Sequence, residues 1–173
     1  MISENLKKIK SQLPPQVKLV AVSKFHPAVA IQEAYDAGQR VFGESRPQEL
    51  AEKAKSLPGD IEWHFRGHLQ RNKVKLVLPY ASLVESVDSV ELLDAIEKWC
   101  AGEGRTVEVL IECHIAREPE KTGFSLDEAL KLLTGQLSWP HIHIRGLMGM
   151  ATNTEDENII REDFTKLTTL NAA

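Results

Sequence analysis

Val17 to Pro27, VKLVAVSKFHP, carries an amine at the end of an apolar run. Val17, Leu19, Val20, Ala21 and Val22 favour a strand, and a near-continuous run of this kind suits one buried on both faces of a parallel sheet. The two-residue strand period puts Lys24 on the side of Val20 and Val22, at the C-terminal end. Pro27 follows and suits the first turn of a helix. A rigid strand then presents an amine where α/β folds place their chemistry. Desolvation at such a rim lowers a lysine pKa, and a neutral amine is the nucleophile for Schiff-base formation with an aldehyde or ketone. A strand-end lysine that only reaches water is the plainer alternative.

Other polar or small residues stand where strands are expected to end: Glu44 and Ser45, Gly67 and His68, Ser86, His114, and Met148 to Met150. Each has a bland explanation. Ser45 and Gln48 have the spacing of a capping box. His68 suits a helix start bonded to backbone, and Ser86 is small enough to serve packing alone. His64, His114, His141 and His143 fall on different strands without a closed Cys/His spacing, so no metal site is expected. Arg71, Lys73 and Lys75 read as a solvated basic face. Met148 and Met150 read as interior filling.

The elements that must position these residues alternate along the chain. A first amphipathic helix spans 3–12, and Pro14 and Pro15 stop it. Strands are expected at 17–24, 40–45, 61–67, 82–87, 106–114 and 142–150. Helices are expected at 28–37, 46–57, after Asp88 and Glu91, from Ser125 to about 133, and after Thr154 with Glu157. A basic helical connection is expected at 68–79. The last helix would carry Ile159, Ile160, Phe164 and Leu167 on its apolar face. Six successive βα units mean a parallel sheet, either an open doubly wound sheet or a (β/α)8 barrel. No G-x-G-x-x-G turn follows the first strand and no G-x-x-x-x-G-K-[ST] occurs, which weakens the open nucleotide-binding sheet.

Composition sets the outer bounds. The chain has 173 residues, of which 42% are hydrophobic and 27% charged, with a net charge of −4. That describes a globular domain and argues against nucleic acid as partner. No apolar run reaches the roughly 20 residues that span a bilayer, and the N-terminus lacks a secretory segment. Cys100 and Cys113 form no disulfide framework, so a cytoplasmic location is expected.

Several motifs occur together in order: VAVSK at 20–24, FGESRPQE at 42–49, WHFRGHLQRNK at 63–73, SVDS at 86–89 and IRGLM at 144–148. Over essentially its whole length the chain resembles the pyridoxal phosphate homeostasis proteins, also called the proline synthase co-transcribed homologues. The resemblance implies one domain over 1–173, a parallel (β/α)8 TIM barrel like the alanine racemase N-terminal domain, with six of the eight units present. It implies pyridoxal 5'-phosphate held as a Schiff base on Lys24, with Ser45, His68 and Ser86 also in contact with the cofactor. It departs from the family pattern at three places: Ser45 stands where Asn is usual, Arg66 where Ile or Val is usual, and Cys113-His114-Ile115 where Val-Asn-Ile is common. The family's seventh and eighth strands, with a Ser-Met-Gly-Met-Ser and an Arg-Ile-Gly-Thr segment, have no counterpart here.

Two classes of function follow from the resemblance. A cofactor carrier would buffer or deliver pyridoxal phosphate to apoenzymes that depend on it, with the full-length protein a monomer or weak dimer. A racemase or decarboxylase would need a second acid/base on the opposite face of the cofactor. Tyr35 falls in an expected helix and Tyr80 in a connection, so neither supplies it, and the carrier is favoured. An aldolase-like use of Lys24 is a third reading. A molecule of these six units alone is expected to bind the cofactor more weakly than one with eight, and to expose strand one as an aggregation-prone edge. Cofactor titration and size exclusion on both lengths would check this.

Overall fold

The computed structural model describes residues 1–136 and 138–173. They divide into two compact units, Met1–Gly67 with Lys75–Ser82, and His68–Val74 with Leu83–Ala173. Strand and helix alternate in both.

The first unit begins with α1 (Ile2–Gln12), β1 (Ala21–Val22) and α2 (Ala28–Asp36). β2 (Val41–Glu44), α3 (Pro47–Ser56) and β3 (Glu62–Phe65) follow. β2 lies between β1 and β3, parallel to both; Val22 pairs with Gly43, and Gly43 with His64. The alternating side chains Phe42 and Phe65 are fully buried, as are Ile31 of α2 and Leu50 of α3. The Phe42 and Trp63 rings meet at 5.9 Å and a 44° tilt, an arrangement aromatic pairs favour. Gln39 is buried before β2, and its Nε2 donates to the carbonyls of Leu19 at 2.9 Å and Val41 at 2.7 Å.

β1 is much shorter than the expected 17–24 strand. Val17 is 46% and Val22 40% exposed, so the run is not buried on both faces. Within this unit β1 has one strand neighbour, and regular pairing covers two of its residues. α3 also begins one residue later than the Ser45 box required. Pro47 occupies the first turn and Arg46 is the N-cap without a side-chain bond. Proline's fixed φ is already helical, so the backbone enters the helix there.

The 68–79 connection is a 3-10 turn (Arg71–Lys73) and one helical turn, α4 (Val74–Val77). Arg71 and Lys75 are exposed and Lys73 is half-buried. β4 (Ala81–Val87) follows.

The second unit continues with α5 (Val90–Glu103), β5 (Val107–Glu112), α6 (Leu126–Thr134), β6 (Ile142–Met148) and α7 (Glu157–Asn171). β5 pairs in parallel with β4 and β6. Val84, Val109 and Ile111 pack with Leu93, Ile96 and Cys100 in a core where none of them is exposed. The Ser125–Glu128 capping box forms as expected, each bond 3.1 Å. The other two caps shift. Ser89, not Asp88, caps α5 by accepting from Leu92 N–H at 3.1 Å. Asp156, not Thr154, caps α7. Polar residues cluster before each helix, and the frame that wins is the one where the backbone turns helical.

Two expectations for the C-terminal part fail. Met150 is 41% exposed rather than interior. On α7 Phe164 is 44% exposed, and the buried residue is Asp163. Asp163 Oδ2 accepts from Thr152 N–H at 2.7 Å and Thr152 Oγ1 at 2.6 Å. Lys166 Nζ lies 3.4 Å from Oδ1. Burial pushes this carboxyl up, but the Thr152 bonds and the Lys166 charge outweigh it and hold it below the usual aspartate value. A depressed folded pKa contributes stability that is present above the unfolded value of 3.8 and lost as pH falls through the folded one. Asp163→Asn should therefore lower the urea midpoint at neutral pH and flatten its fall at acid pH. Equal acid sensitivity of the variant and the parent would contradict this.

Candidate functional site

The chain leaves β1 through Ser23, whose N–H still bonds to Gly43 O at 2.9 Å. A tight turn follows, closed by His26 N–H to Ser23 O at 3.0 Å. Lys24 and Phe25 form its tip, both exposed. Phe25 has φ 66°, the left-handed region that a non-glycine residue enters at a cost. The Arg46 guanidinium lies over the Phe25 ring at 4.5 Å and the Lys24 amine at 5.9 Å. Among the described residues no carboxylate pairs with the Lys24 amine.

A buried polar cluster lies beneath this turn. Ser23 Oγ donates to Glu44 Oε2 at 2.5 Å. Lys53 Nζ, on α3, donates to Glu44 Oε1 and Glu49 Oε1, each at 2.7 Å, and to Ser23 O at 2.8 Å. Glu49 Oε1 also accepts from Phe25 N–H at 2.7 Å. Glu44 is fully buried, and Lys53 is 8% exposed. Burial pushes the Glu49 carboxyl up, but the hydrogen bonds from Lys53 and Phe25 and the Lys53 and Arg46 charges outweigh it, holding it below the usual value. This cluster escaped the sequence reading. Glu44 in an apolar strand and the four-residue Glu49–Lys53 spacing were its signals.

Ser45, half-buried, follows β2 as Lys24 follows β1, each two residues beyond the Val22–Gly43 pair. The structure thus brings these two expected residues to the ends of neighbouring strands. Gly67 passes so close that a Cβ there would lie 2.5 Å from Ser45 O, which only glycine permits. Arg66 runs beside Gly43, its Cδ 3.2 Å from where a Cβ would stand. The long side chain thus fits against a residue with none.

His68 and Ser86 belong to the second unit. His68 is exposed, with Nδ1 3.3 Å from Asp88 Oδ2. It borders a cavity of about 400 Å³ with Gln70, Arg71, Asp88 and Ser89. Ser86 is buried on β4. Glu112, buried at the end of β5, is pushed up by burial and then by the Asp88 charge. Its neighbour Cys113 is pushed up to about 11, by burial and then by Glu112. Cys100 is likewise buried and free. A thiol kept protonated and buried is a poor nucleophile. The folded protein should therefore react slowly with a thiol reagent at neutral pH and show two reactive thiols in denaturant. A rapid native thiol would contradict this.

Two of the four histidines considered for metal have other partners. His114 Nε2 meets Glu118 O at 2.8 Å, and His141 Nδ1 meets Glu97 Oε1 at 2.5 Å. Among the described residues no group of three His, Cys, Asp or Glu could hold a metal ion. No helix among them is long and apolar enough to cross a membrane.

A family model described as the alanine racemase N-terminal domain matches residues 1–173. A protein named pyridoxal phosphate homeostasis protein from Pasteurella multocida is 36% identical over 159 residues, covering 89% of this chain and 67% of that protein. One of the same name from Vibrio alginolyticus is 34% identical over 184 residues, covering 98% and 79%. Among solved structures, PipY of Synechococcus elongatus without pyridoxal phosphate superposes with a TM-score of 0.93 at 36% identity. Its form with pyridoxal phosphate bound gives 0.89 at 35%. Both matches cover 99% of this chain and 81% of PipY. Alanine racemase from E. faecalis, 18% identical with a TM-score of 0.81 over 99% of this chain, shares the fold.

Proposed function

This chain belongs to the pyridoxal phosphate homeostasis proteins, a family with the alanine racemase N-terminal fold, and from that premise we propose that it binds pyridoxal 5'-phosphate and holds it without turnover. The observation that carries the reading is Lys24: an exposed amine with no carboxylate partner among the described residues, at the end of β1. An accessible primary amine is what an aldehyde cofactor requires. Lys24 would hold the cofactor through this amine, and the cofactor would bring the aldehyde carbon that an amine nucleophile needs. When bound, the cofactor would supply an electron sink for carbanions. In this reading Ser45, His68 and Ser86 contribute further contacts to it. Its protein partners are apoenzymes that need the cofactor, and its place is the cytoplasm, which suits two free cysteines.

Turnover by racemisation needs a second acid/base opposite the lysine. Tyr35 is held elsewhere. Its hydroxyl donates to Asp60 Oδ1 at 2.5 Å, and Arg40 lies 3.7 Å over its ring. Asp60 and Arg40 precede β3 and β2, so this phenol stands at the strands' N-terminal ends, whereas Lys24 follows a C-terminal end. The Asp60 hydrogen bond, then burial, also raise its pKa. Tyr80 precedes β4 in the same way. Incubation of the loaded protein with L-alanine in deuterated water is expected to show Cα exchange no faster than free cofactor. Turnover well above that rate, dependent on Lys24, would replace the carrier by an enzyme. A visible absorption band on adding the cofactor is also expected, and its absence would remove both readings.

A further inference from the structure

Lys24 sits between two peptide groups, and side chains of one helix hold both. The carbonyl before it, Ser23 O, accepts from Lys53 Nζ at 2.8 Å. The N–H after it, on Phe25, donates to Glu49 Oε1 at 2.7 Å. Lys53 and Glu49 are themselves bonded at 2.7 Å and stand one helical turn apart on α3. Glu44 of β2, fully buried, anchors Lys53 from below at 2.7 Å. A positive φ at Phe25 is disfavoured for an aromatic residue, so the turn persists only where its surroundings fix it. The bond from Phe25 N–H to an ionised carboxylate is of the stronger, charge-assisted kind.

We propose that Glu49 and Lys53 are positioning residues: α3 clamps the backbone on both sides of Lys24 and so sets the place from which its amine meets the cofactor aldehyde. This rests on the reading of Lys24 as the attachment point. The clamp touches no cofactor atom. It acts by limiting the conformations of the turn, so the amine spends more time where reaction occurs. An ordinary surface pair would have no reason to bury its lysine, and here the Lys53 amine meets the peptide before Lys24 while the Glu49 carboxylate meets the peptide after it.

Glu49 is the side chain to remove, because it is partly exposed and its loss leaves Lys53 bonded to Glu44 and Ser23. The experiment compares the parent, Glu49→Ala and Glu49→Gln, the last keeping an acceptor for Phe25 N–H. Two readouts are taken on the full chain. Amide exchange in a peptide covering Ser23 to His26 is measured without cofactor, against a peptide from α3 as control. The initial rate of borohydride-trapped pyridoxyl labelling is then measured at Lys24, against exposed Lys55 in the same digest.

Glu49→Ala is expected to speed Phe25 exchange roughly tenfold, the equivalent of about 1.4 kcal/mol. It should slow Lys24 labelling several-fold while Lys55 and the α3 peptide are unchanged. Glu49→Gln should restore most of both. Unchanged Phe25 exchange in Glu49→Ala would overturn the clamp. So would faster exchange with undiminished Lys24 labelling, because the turn would then be held to no purpose. If the parent itself never labels at Lys24, the attachment reading falls and the positioning role with it, whereas the exchange arm still reports whether α3 fixes the turn.

Discussion

Lys24→Ala is expected to abolish the borohydride-trapped pyridoxyl adduct expected of the parent protein. It should also remove the visible band that forms on adding pyridoxal phosphate. The argument is one of supply. A C=N bond needs a primary amine at the site, and Lys24 alone stands exposed at the turn after β1. Its backbone neighbours are held by Glu49 and Lys53, not by its own side chain, so the variant should keep its fold. Loss of an exposed side chain of this kind costs within about 0.5 kcal/mol. The proper control is Lys55, which is exposed, and not Lys53, whose ammonium is buried among three acceptors. Peptide mapping after reduction should place the adduct on Lys24 in the parent and leave Lys55→Ala unaffected. An adduct of full stoichiometry in Lys24→Ala would refute the assignment.

Lys53→Met is expected to cost as much stability as deleting a core side chain of the first unit. It leaves Glu44, fully buried, without its cation. Breaking a buried ion pair by removing one partner costs about 3–5 kcal/mol. For a chain of this size that lowers the thermal midpoint on the order of 10 °C. The double variant Lys53→Met with Glu44→Gln removes the stranded charge and should recover a large part of the loss. Chemical denaturation of the parent, the two single variants and the double variant forms a cycle that isolates the pair. A Lys53→Met loss below about 1 kcal/mol would mean that the cluster is solvated and that its burial carries no weight.

Much of the architecture was legible from the chain alone. The βα order, the parallel pairing and the approximate place of every helix follow from apolar runs punctuated by proline and glycine. The extent of β1 did not. VKLVAVSK reads as a buried strand, but pairing depends on neighbours, and β1 has one strand beside it in its unit. Helix starts at Arg46, Ser89 and Asp156 missed the expected caps by one or two residues, because Ser, Thr or Asp three positions before Glu or Gln fits several frames.

The site was legible in part. Lys24 and Ser45 do end adjacent strands of one unit. The groups that hold Lys24 in place were not foreseen, because Glu49 and Lys53 at four-residue spacing look like an ordinary surface pair. The fully buried Glu44 at the end of β2 is what draws the Lys53 amine inward. Asp163 escaped for the same reason on α7. A lone acid among apolar positions reads as solvent-facing until Thr152 is seen beneath it.

The bonds around Lys24 also have a temporal meaning. They join residues separated by 21 positions from Ser23 to Glu44, 24 from Phe25 to Glu49 and 30 from Ser23 to Lys53. Loops of this length close at modest entropic cost, and contacts local in sequence form early in folding. During synthesis from the N-terminus, all the partners of the Lys24 turn are polymerised before β3 and leave the ribosome ahead of it. The setting of the amine is thus encoded in the first third of the chain and can mature while the remaining units are still being translated.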